Sequence, residues 1–244
     1  MDLEWIRPEW PAPVSVRGLS TTRVGGVSHD PYASLNLGQH VGDLPDSVSM
    51  NRSKLQLSLG RAQPRWLSQV HGTQIAMLDG MPVGQPADAA VAVGAGEACV
   101  VMTADCLPVI FCDQSGTTVA AAHAGWRGLS AGVLESTVKA MAIAPARLMA
   151  WFGPAIGPRA YEVGDEVRDA FLQQSAGAAG AFQAGKAPGK WWCDLYLLAR
   201  QRLEALEVKS IHGGGFCTYT ERERFFSHRR DGQCGRMATL VWIE

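Results

Sequence analysis

A thiol and two imidazoles carry the chemistry most legible in this chain. Cys106 follows an apolar run in Thr103-Ala104-Asp105-Cys106-Leu107-Pro108, His123 ends another in the stretch AAAHAGWRG (120–128), and His71 sits in Ser68-Gln69-Val70-His71-Gly72. Each stands where a short buried strand is expected to give way to a turn, and such junctions gather binding groups on a rigid scaffold. Any one of them alone would be ordinary packing material; the three together form a candidate catalytic and metal-binding cluster. Sulfur and nitrogen donors without a fourth protein ligand suit a catalytic zinc, whose open position takes water or substrate. The same residues also suit a hydrolase pair, with Cys106 as nucleophile and His123 as base, which leaves His71 idle. A type 1 copper site of two histidines and one cysteine is the third reading. Asp105, beside Cys106, either orients an imidazole, shuttles a proton, or shapes the turn.

Other chemistries are excluded by what the chain lacks. Its six histidines (His29, His40, His71, His123, His212, His228) contain no H-x-H, too few imidazoles for a multicopper oxidase. The H-x-E and P-C-x-x-C pair of zinc nucleobase deaminases is absent, as are C-x-x-C and H-E-x-x-H.

A second group of residues concerns anions. Gly125-Trp126-Arg127-Gly128 opens a helix, where free backbone N–H groups and the positive end of the dipole favour negative charge, and Arg127 adds a planar fork for phosphate. Arg229 and Arg230 beside Phe225 and Phe226 supply a second clamp or pair with Asp231. Arg127, Arg230, Asp105 and Gln69 make up the candidate substrate and phosphate set. Arg23 and Asn36, near the turn Val24-Gly25-Gly26, either face the site or merely punctuate the loop.

These groups need a scaffold. Strands are expected over 14–22, 66–70, 73–78, 87–93, 98–103, 108–112, 117–122, 147–152, 210–218 and 236–243, the 66–70 and 73–78 pair flanking the His71-Gly72 corner. The apolar runs lack clean alternation, so some strands should be covered on both faces. Helices are expected from Asp46 to Leu59, from about 128 to before Pro145 in one piece, and after caps at Asp165 and Asp194. The stretch 175–189, rich in Gly, Ala and Gln, reads as a surface loop. The fold class expected is α+β: layered mixed β-sheets flanked by helices, in one domain over residues 1–244.

Length and composition agree. At 244 residues and 47% hydrophobic content the chain has ample material for a core. A net charge of −1 offers no basic footprint for nucleic acid. No apolar run reaches the roughly 20 residues of a membrane span, and the acidic N-terminus lacks a signal-peptide pattern. Six scattered cysteines suit reduced thiols in the cytoplasm. The partners expected are small molecules, with no nucleic acid and no membrane, and a monomer or homodimer.

The motifs SQVHG, TADCLPV, HAGWRG, GPAIGP, YEVG, CTY and FFSHRRDG, in this order, resemble the polyphenol oxidase or laccase-domain family, which includes the peptidoglycan editing factor and is described as purine nucleoside phosphorylases. The likeness runs from STTRVGGVS and SLNLG to the last strand; His228 looks like local variation. The resemblance implies a fold similar to the catalytic domain of cytotoxic necrotizing factors. It also implies Zn(2+), with Cu(2+) as the alternative, held by His71, Cys106 and His123. The implied activity is phosphorolysis of adenosine, inosine, guanosine and methylthioadenosine, with adenosine deamination beside it. Phenol oxidation with copper and amide cleavage in a peptidoglycan precursor are the competing activities attached to the same family.

Overall fold

Residues 89–124 fold into four strands whose side chains alternate between two apolar cores, rather than between a core and water. The computed structural model describes residues 3–78 and 86–244. In chain order the first elements are β1 (Trp5–Ile6), β2 (Val16–Thr21), α1 (Pro45–Leu57), β3 (Gln63–Arg65), β4 (Ile75–Met77), β5 (Ala89–Val93), β6 (Glu97–Thr103), β7 (Leu107–Asp113) and β8 (Thr118–Ala124). There follow α2 (Trp126–Ala131), α3 (Val133–Ala140), β9 (Leu148–Phe152), β10 (Glu162–Gly164), α4 (Asp165–Leu172), β11 (Phe182–Ala184) and β12 (Lys190–Cys193). The chain closes with α5 (Leu195–Ala205), β13 (Ser210–Gly213), α6 (His228–Asp231) and β14 (Met237–Ile243).

Six strands form one mixed sheet in the order β13-β9-β7-β8-β5-β4, and five form a second in the order β1-β2-β14-β6-β3. On one face of the six-stranded sheet Val109, Phe111, Ala120 and Ala122 pack with Leu134 and Val138 of α3 and Leu198 and Leu203 of α5. On its other face Ile110, Cys112, Val119 and Ala121 meet Cys99, Val101, Val241 and Ile243 of the five-stranded sheet. The far face of that second sheet presents Val100, Leu240 and Trp242 to Leu55 of α1 and to Leu35 and Leu37. The layers therefore run helices, sheet, sheet, helix. Strands covered on both sides need no polar alternation, and the alanines of β5 and β8 let the α3 and α5 layer approach closely. A three-stranded sheet, β10-β12-β11, adds Val163, Phe182 and Cys193 to the helix-side core.

The α+β class is as the sequence implies, and several local expectations are corrected. The stretch 66–70 is not a ladder strand; only Ser68 makes an isolated bridge, to Pro86. The helix expected in one piece breaks at Gly132, whose φ of 102° lies outside the helical region, so α2 and α3 meet at an angle of the chain rather than continuing. Asp165 is the first residue of α4 rather than its cap, which is Gly164, and its carboxylate accepts from Trp191 Nε1 at 2.7 Å. Asp194 does cap α5, accepting from Leu197 N at 2.9 Å. Within the expected loop 175–189, residues Ala176–Ala181 form a 3-10 turn and β11 follows, burying Ala178, Ala181 and Phe182 against α4 and α5. Small residues read as loop because they are weakly apolar, yet they fill a narrow space well. The tail of the expected strand 210–218 ends early, at Gly213.

Candidate metal centre and adjoining pocket

The site is assembled around a carboxylate that the sequence reading passed over. Asp88, fully buried just before β5, accepts from the backbone N–H groups of Val70 (3.2 Å), His71 (2.9 Å) and Gly72 (2.7 Å). It also pairs with His123 Nδ1 at 2.8 Å, while its own carbonyl accepts from His123 N at 2.7 Å. One side chain thus fixes both imidazoles: it draws the 70–72 loop into a tight turn, with His71 at φ 59°, and it fixes the ring of His123 from behind. Burial would raise the Asp88 carboxyl, but His123 and the backbone N–H donors pull it below its ordinary value. With Nδ1 of His123 committed to a carboxylate, Nε2 is left for the site.

Cys106 lies in the turn that carries the chain from β6 in one sheet to β7 in the other, and His123 lies in β8, paired through Pro108 with β7. Ligand atoms of His71, Cys106 and His123 all fall within 4.8 Å of one another, and the two rings meet edge to face at 4.8 Å between centroids. Burial alone would raise the Cys106 thiol, but the imidazoles of His123 and His71 outweigh it and bring it down to about 6. Burial would lower His123, and the facing sulfur and Asp88 together raise it to about 9. The two shifts run in the directions that favour a thiolate facing an imidazolium, the form in which a cation can replace the proton.

Two glycines keep this cluster open. A Cβ on Gly125 would stand 2.9 Å from Cys106 Sγ and 3.4 Å from the His71 ring; one on Gly128 would stand 2.9 Å from the Gly72 carbonyl. The spacing of HAGWRG is thus a packing requirement: the first glycine clears the sulfur, and the second lets α2 touch the His71 loop. Two nitrogens, one thiolate and a space kept free above the sulfur fit a metal with three protein ligands and an open position.

The cluster opens into a cavity of about 250 Å3, bounded also by Ala104, Asp105, Trp126, Arg127, Ile156, Tyr161, Leu195, His228 and Arg229. Of the candidate substrate residues, Arg127 lies on this wall, its guanidinium 4.5 Å above the Trp126 ring. Asp105 is there too, but at φ 92° its carboxylate turns away from the imidazoles: it accepts from Thr218 Oγ1 and from Arg229 N, each at 2.6 Å. It ties the β6–β7 turn to the segment before α6. Gln69 forms a two-way bridge with the Met102 backbone, both contacts 2.8 Å, which replaces the ladder that 66–70 lacks. Arg230 is turned inward, its side chain 7% exposed, donating to the carbonyls of Thr218 (2.7 Å), Tyr219 (2.8 Å) and Phe225 (2.9 Å) and pairing with Asp231. Its neighbour Arg229 faces the cavity instead. His228, which looks like local variation in sequence, also lines the cavity, its Nδ1 donating to Gly232 O at 2.6 Å. Arg23 and Asn36 serve the N-terminal loops: Arg23 donates to Ala33 O at 2.8 Å, and Asn36 is buried, donating to Asp43 at 2.9 Å.

Asp88 had one visible signal, a lone carboxylate inside the apolar run 87–93, where a buried charge demands partners. Tyr161, in the YEVG motif, had none beyond the motif itself.

Curated relatives match across nearly the full length. A purine nucleoside phosphorylase of Pseudomonas aeruginosa is 53% identical over 240 residues, covering 98% of each chain. The purine nucleoside phosphorylase YfiH of Escherichia coli is 54% identical over 242 residues, again covering 98% of each. The crystal structure of Neisseria meningitidis protein NMB0706 superposes with a TM-score of 0.94 at 50% identity, covering 98% of this chain and 99% of that one. The crystal structure of YlmD from Geobacillus stearothermophilus gives a TM-score of 0.87 at 32% identity over 98% and 96% of the two chains. Residues 17–244 match the family model described as multi-copper polyphenol oxidoreductase laccase, and the chain belongs to that family.

Proposed function

We propose that this chain is a zinc-dependent purine nucleoside phosphorylase acting in the cytoplasm, one domain over 1–244, with adenosine deamination as a side activity. The observation that carries the reading is the His71–Cys106–His123 cluster, wedged open by Gly125 and facing a cavity with two arginines, Trp126 and Tyr161 on its wall. The relatives' names supply the reaction class. Adenosine, inosine, guanosine and methylthioadenosine are the substrates. Held by these three residues, zinc supplies a Lewis acid at the inner end of the cavity.

The chain's own residues do the rest. Asp88 holds the His123 ring so that Nε2 points to the cluster, and Gly72 and Gly128 hold the His71 loop against α2. Trp126 and Tyr161 offer apolar surface for a purine or ribose, and Arg127 offers a fixed positive fork. In phosphorolysis an oxygen of phosphate bonds to C1′ as the C1′–N bond breaks; the bond's electron pair stays on the base, which takes the phosphate's proton. The transition state is oxocarbenium-like, so holding the anion at the right face is the main contribution open to the protein. Burial holds the Tyr161 phenol well above its ordinary value, so it serves as a neutral donor.

One observation favours a second reading. The lowered thiol of Cys106 against His123 is also the pair a cysteine hydrolase needs, with amide bonds such as those of a peptidoglycan precursor as its targets. Copper in the same three ligands would instead favour phenol oxidation. Metal content by mass spectrometry, on protein purified without added metal, is measured beside purine release from adenosine with and without phosphate. Near one zinc per chain, with phosphate-dependent release that Cys106→Ala and His71→Ala both abolish, supports the phosphorylase. Full activity in His71→Ala or in metal-free protein sinks it in favour of the Cys106–His123 hydrolase.

A further inference from the structure

We infer that a chamber outside the metal centre is a phosphoryl-binding subsite; the phosphorylase reading enters only in naming free phosphate as its first occupant. This second cavity, about 370 Å3, adjoins the inner one and shares four walls with it: Trp126, Arg127, Tyr161 and Arg229. The inner cavity of about 250 Å3 is smaller than the roughly 300–1,000 Å3 usual for small-molecule sites. A ligand seated at the cluster therefore reaches through the shared waist.

The outer chamber is where the cations are. Arg127, Arg229 and Lys190 line it. Among the described residues no carboxylate lies within ion-pair distance of Arg127 or Lys190. Arg127 is held by its stacking on Trp126, and Arg229 by stacking on Tyr161 at 5.1 Å and by one bond from Nη1 to Glu162 O at 2.7 Å. Both guanidiniums are thus positioned with N–H groups to spare, the arrangement that suits bidentate contact with a phosphoryl group.

Two acids share the wall. Glu162 is turned aside, its Oε1 accepting from Lys186 N at 2.9 Å. Glu166, in the first turn of α4, remains as the opposing charge and weakens any anion bound there. The occupant is either inorganic phosphate, as the attacking co-substrate, or a phosphoryl group carried on the organic substrate. The recognition chemistry is the same for both.

The test uses the metal-replete protein. Binding of inorganic phosphate and of methyl phosphate is titrated by calorimetry in the wild type, Arg127→Gln, Lys190→Gln and Glu166→Gln, beside inosine cleavage as a function of phosphate concentration. Losing a charged hydrogen-bond partner should weaken phosphate binding, and raise its KM, roughly tenfold in Arg127→Gln and several-fold in Lys190→Gln. Glu166→Gln should tighten it. Phosphate-dependent inosine cleavage assigns the subsite to free phosphate. Methyl phosphate binding that responds to the same variants, in a protein that leaves inosine intact, assigns it to an esterified phosphoryl group; the subsite then stands and the phosphorylase reading falls. Phosphate-dependent turnover with phosphate affinity unchanged in all three variants overturns the subsite and leaves the reaction standing. Absence of phosphate and methyl phosphate binding to the wild type overturns it as well.

Discussion

Replacing Asp88 by Asn is the sharpest perturbation the site offers, because it changes one oxygen to an amide nitrogen and almost no volume. The carboxylate accepts four contacts: His71 N and His123 Nδ1 at Oδ1, Val70 N and Gly72 N at Oδ2. An asparagine has one acceptor oxygen and one donor group. Whichever way it sits, an NH2 faces two of the four groups. Set against Val70 and Gly72, it leaves two part-buried backbone donors unpaired. Set against His71 and His123, it leaves one backbone donor unpaired and forces Nδ1 of His123 to accept, which puts the ring's proton on Nε2 and removes that nitrogen as a ligand. An unpaired buried donor costs about 1–3 kcal/mol and a part-buried one sits toward the low end, so the metal-free protein should lose roughly 1–3 kcal/mol in either orientation. For a chain of this size about 1 kcal/mol corresponds to roughly 2–4 °C in Tm, so a fall of at least about 2 °C is expected. Loss of a carboxylate behind a ligating histidine typically weakens metal binding roughly 10–100-fold. Chelator competition reads the second effect, and thermal unfolding of the stripped protein reads the first. Zinc affinity unchanged and Tm within a degree of wild type would refute the claim that Asp88 organises both histidines.

Four further outcomes are expected. Gly125→Ala places a methyl 2.9 Å from Cys106 Sγ, so metal occupancy should fall sharply in chelator titrations while far-UV circular dichroism stays native. In metal-stripped protein, alkylation of Cys106 should follow a titration near pH 6, and the buried Cys99, Cys112 and Cys193, whose thiols burial pushes up, should not react at neutral pH. Asp113, which caps the β7–β8 turn through Ser115, Thr117 and Thr118, would be raised by burial but is held at about 2 by those donors. Its folded value lies below the ordinary one, so its contribution of about 2 kcal/mol is present above pH 4 and lost as pH falls toward 2. Urea unfolding should show Asp113→Asn less stable at pH 7 and closer to wild type at pH 2. Arg230→Ala should strip a donor from three carbonyls, destabilising by about 2–4 kcal/mol in urea unfolding, and at a temperature where it remains folded its phosphate KM should match wild type.

The layered architecture was legible because it rests on a coarse property, the largely apolar runs of 98–103, 108–112 and 117–122, which demand cover on both faces. Boundaries were less so. The strand expected to stop at 122 continues to Ala124, and so His123 sits within the ladder, its N–H spent on Asp88 O rather than at a free end. The pseudo-strand at 66–70 shows why local pattern misleads: Gln69 mimics ladder bonds with a side-chain amide, and no periodicity distinguishes the two. The break at Gly132 was signalled by the glycine alone, and the apolar spacing on either side outweighed it.

The metal cluster was legible for a different reason: cysteine and histidine at strand-turn junctions are rare enough that three of them constrain one another. Arginines are not rare, and a sequence does not say which way a guanidinium turns. Arg229 and Arg230 make the point. They are neighbours at the start of a four-residue helix, one turn of chain whose N–H groups are claimed by Asp105 Oδ2 and Ser227 Oγ. That anchoring sets the helix's rotation, and adjacent helical residues project about 100° apart. Once Asp105 has caught Arg229 N, the Arg229 side chain must leave toward Tyr161 and the cavity, and Arg230 must enter the interior, where three carbonyls await it. The division of labour between the two arginines is therefore decided by a carboxylate 124 residues upstream. Asp105, which in sequence reads as an imidazole partner, a proton shuttle or a turn residue, acts as the last of these: its carboxylate ties the turn that carries Cys106 to the segment that aims Arg229 at the cavity.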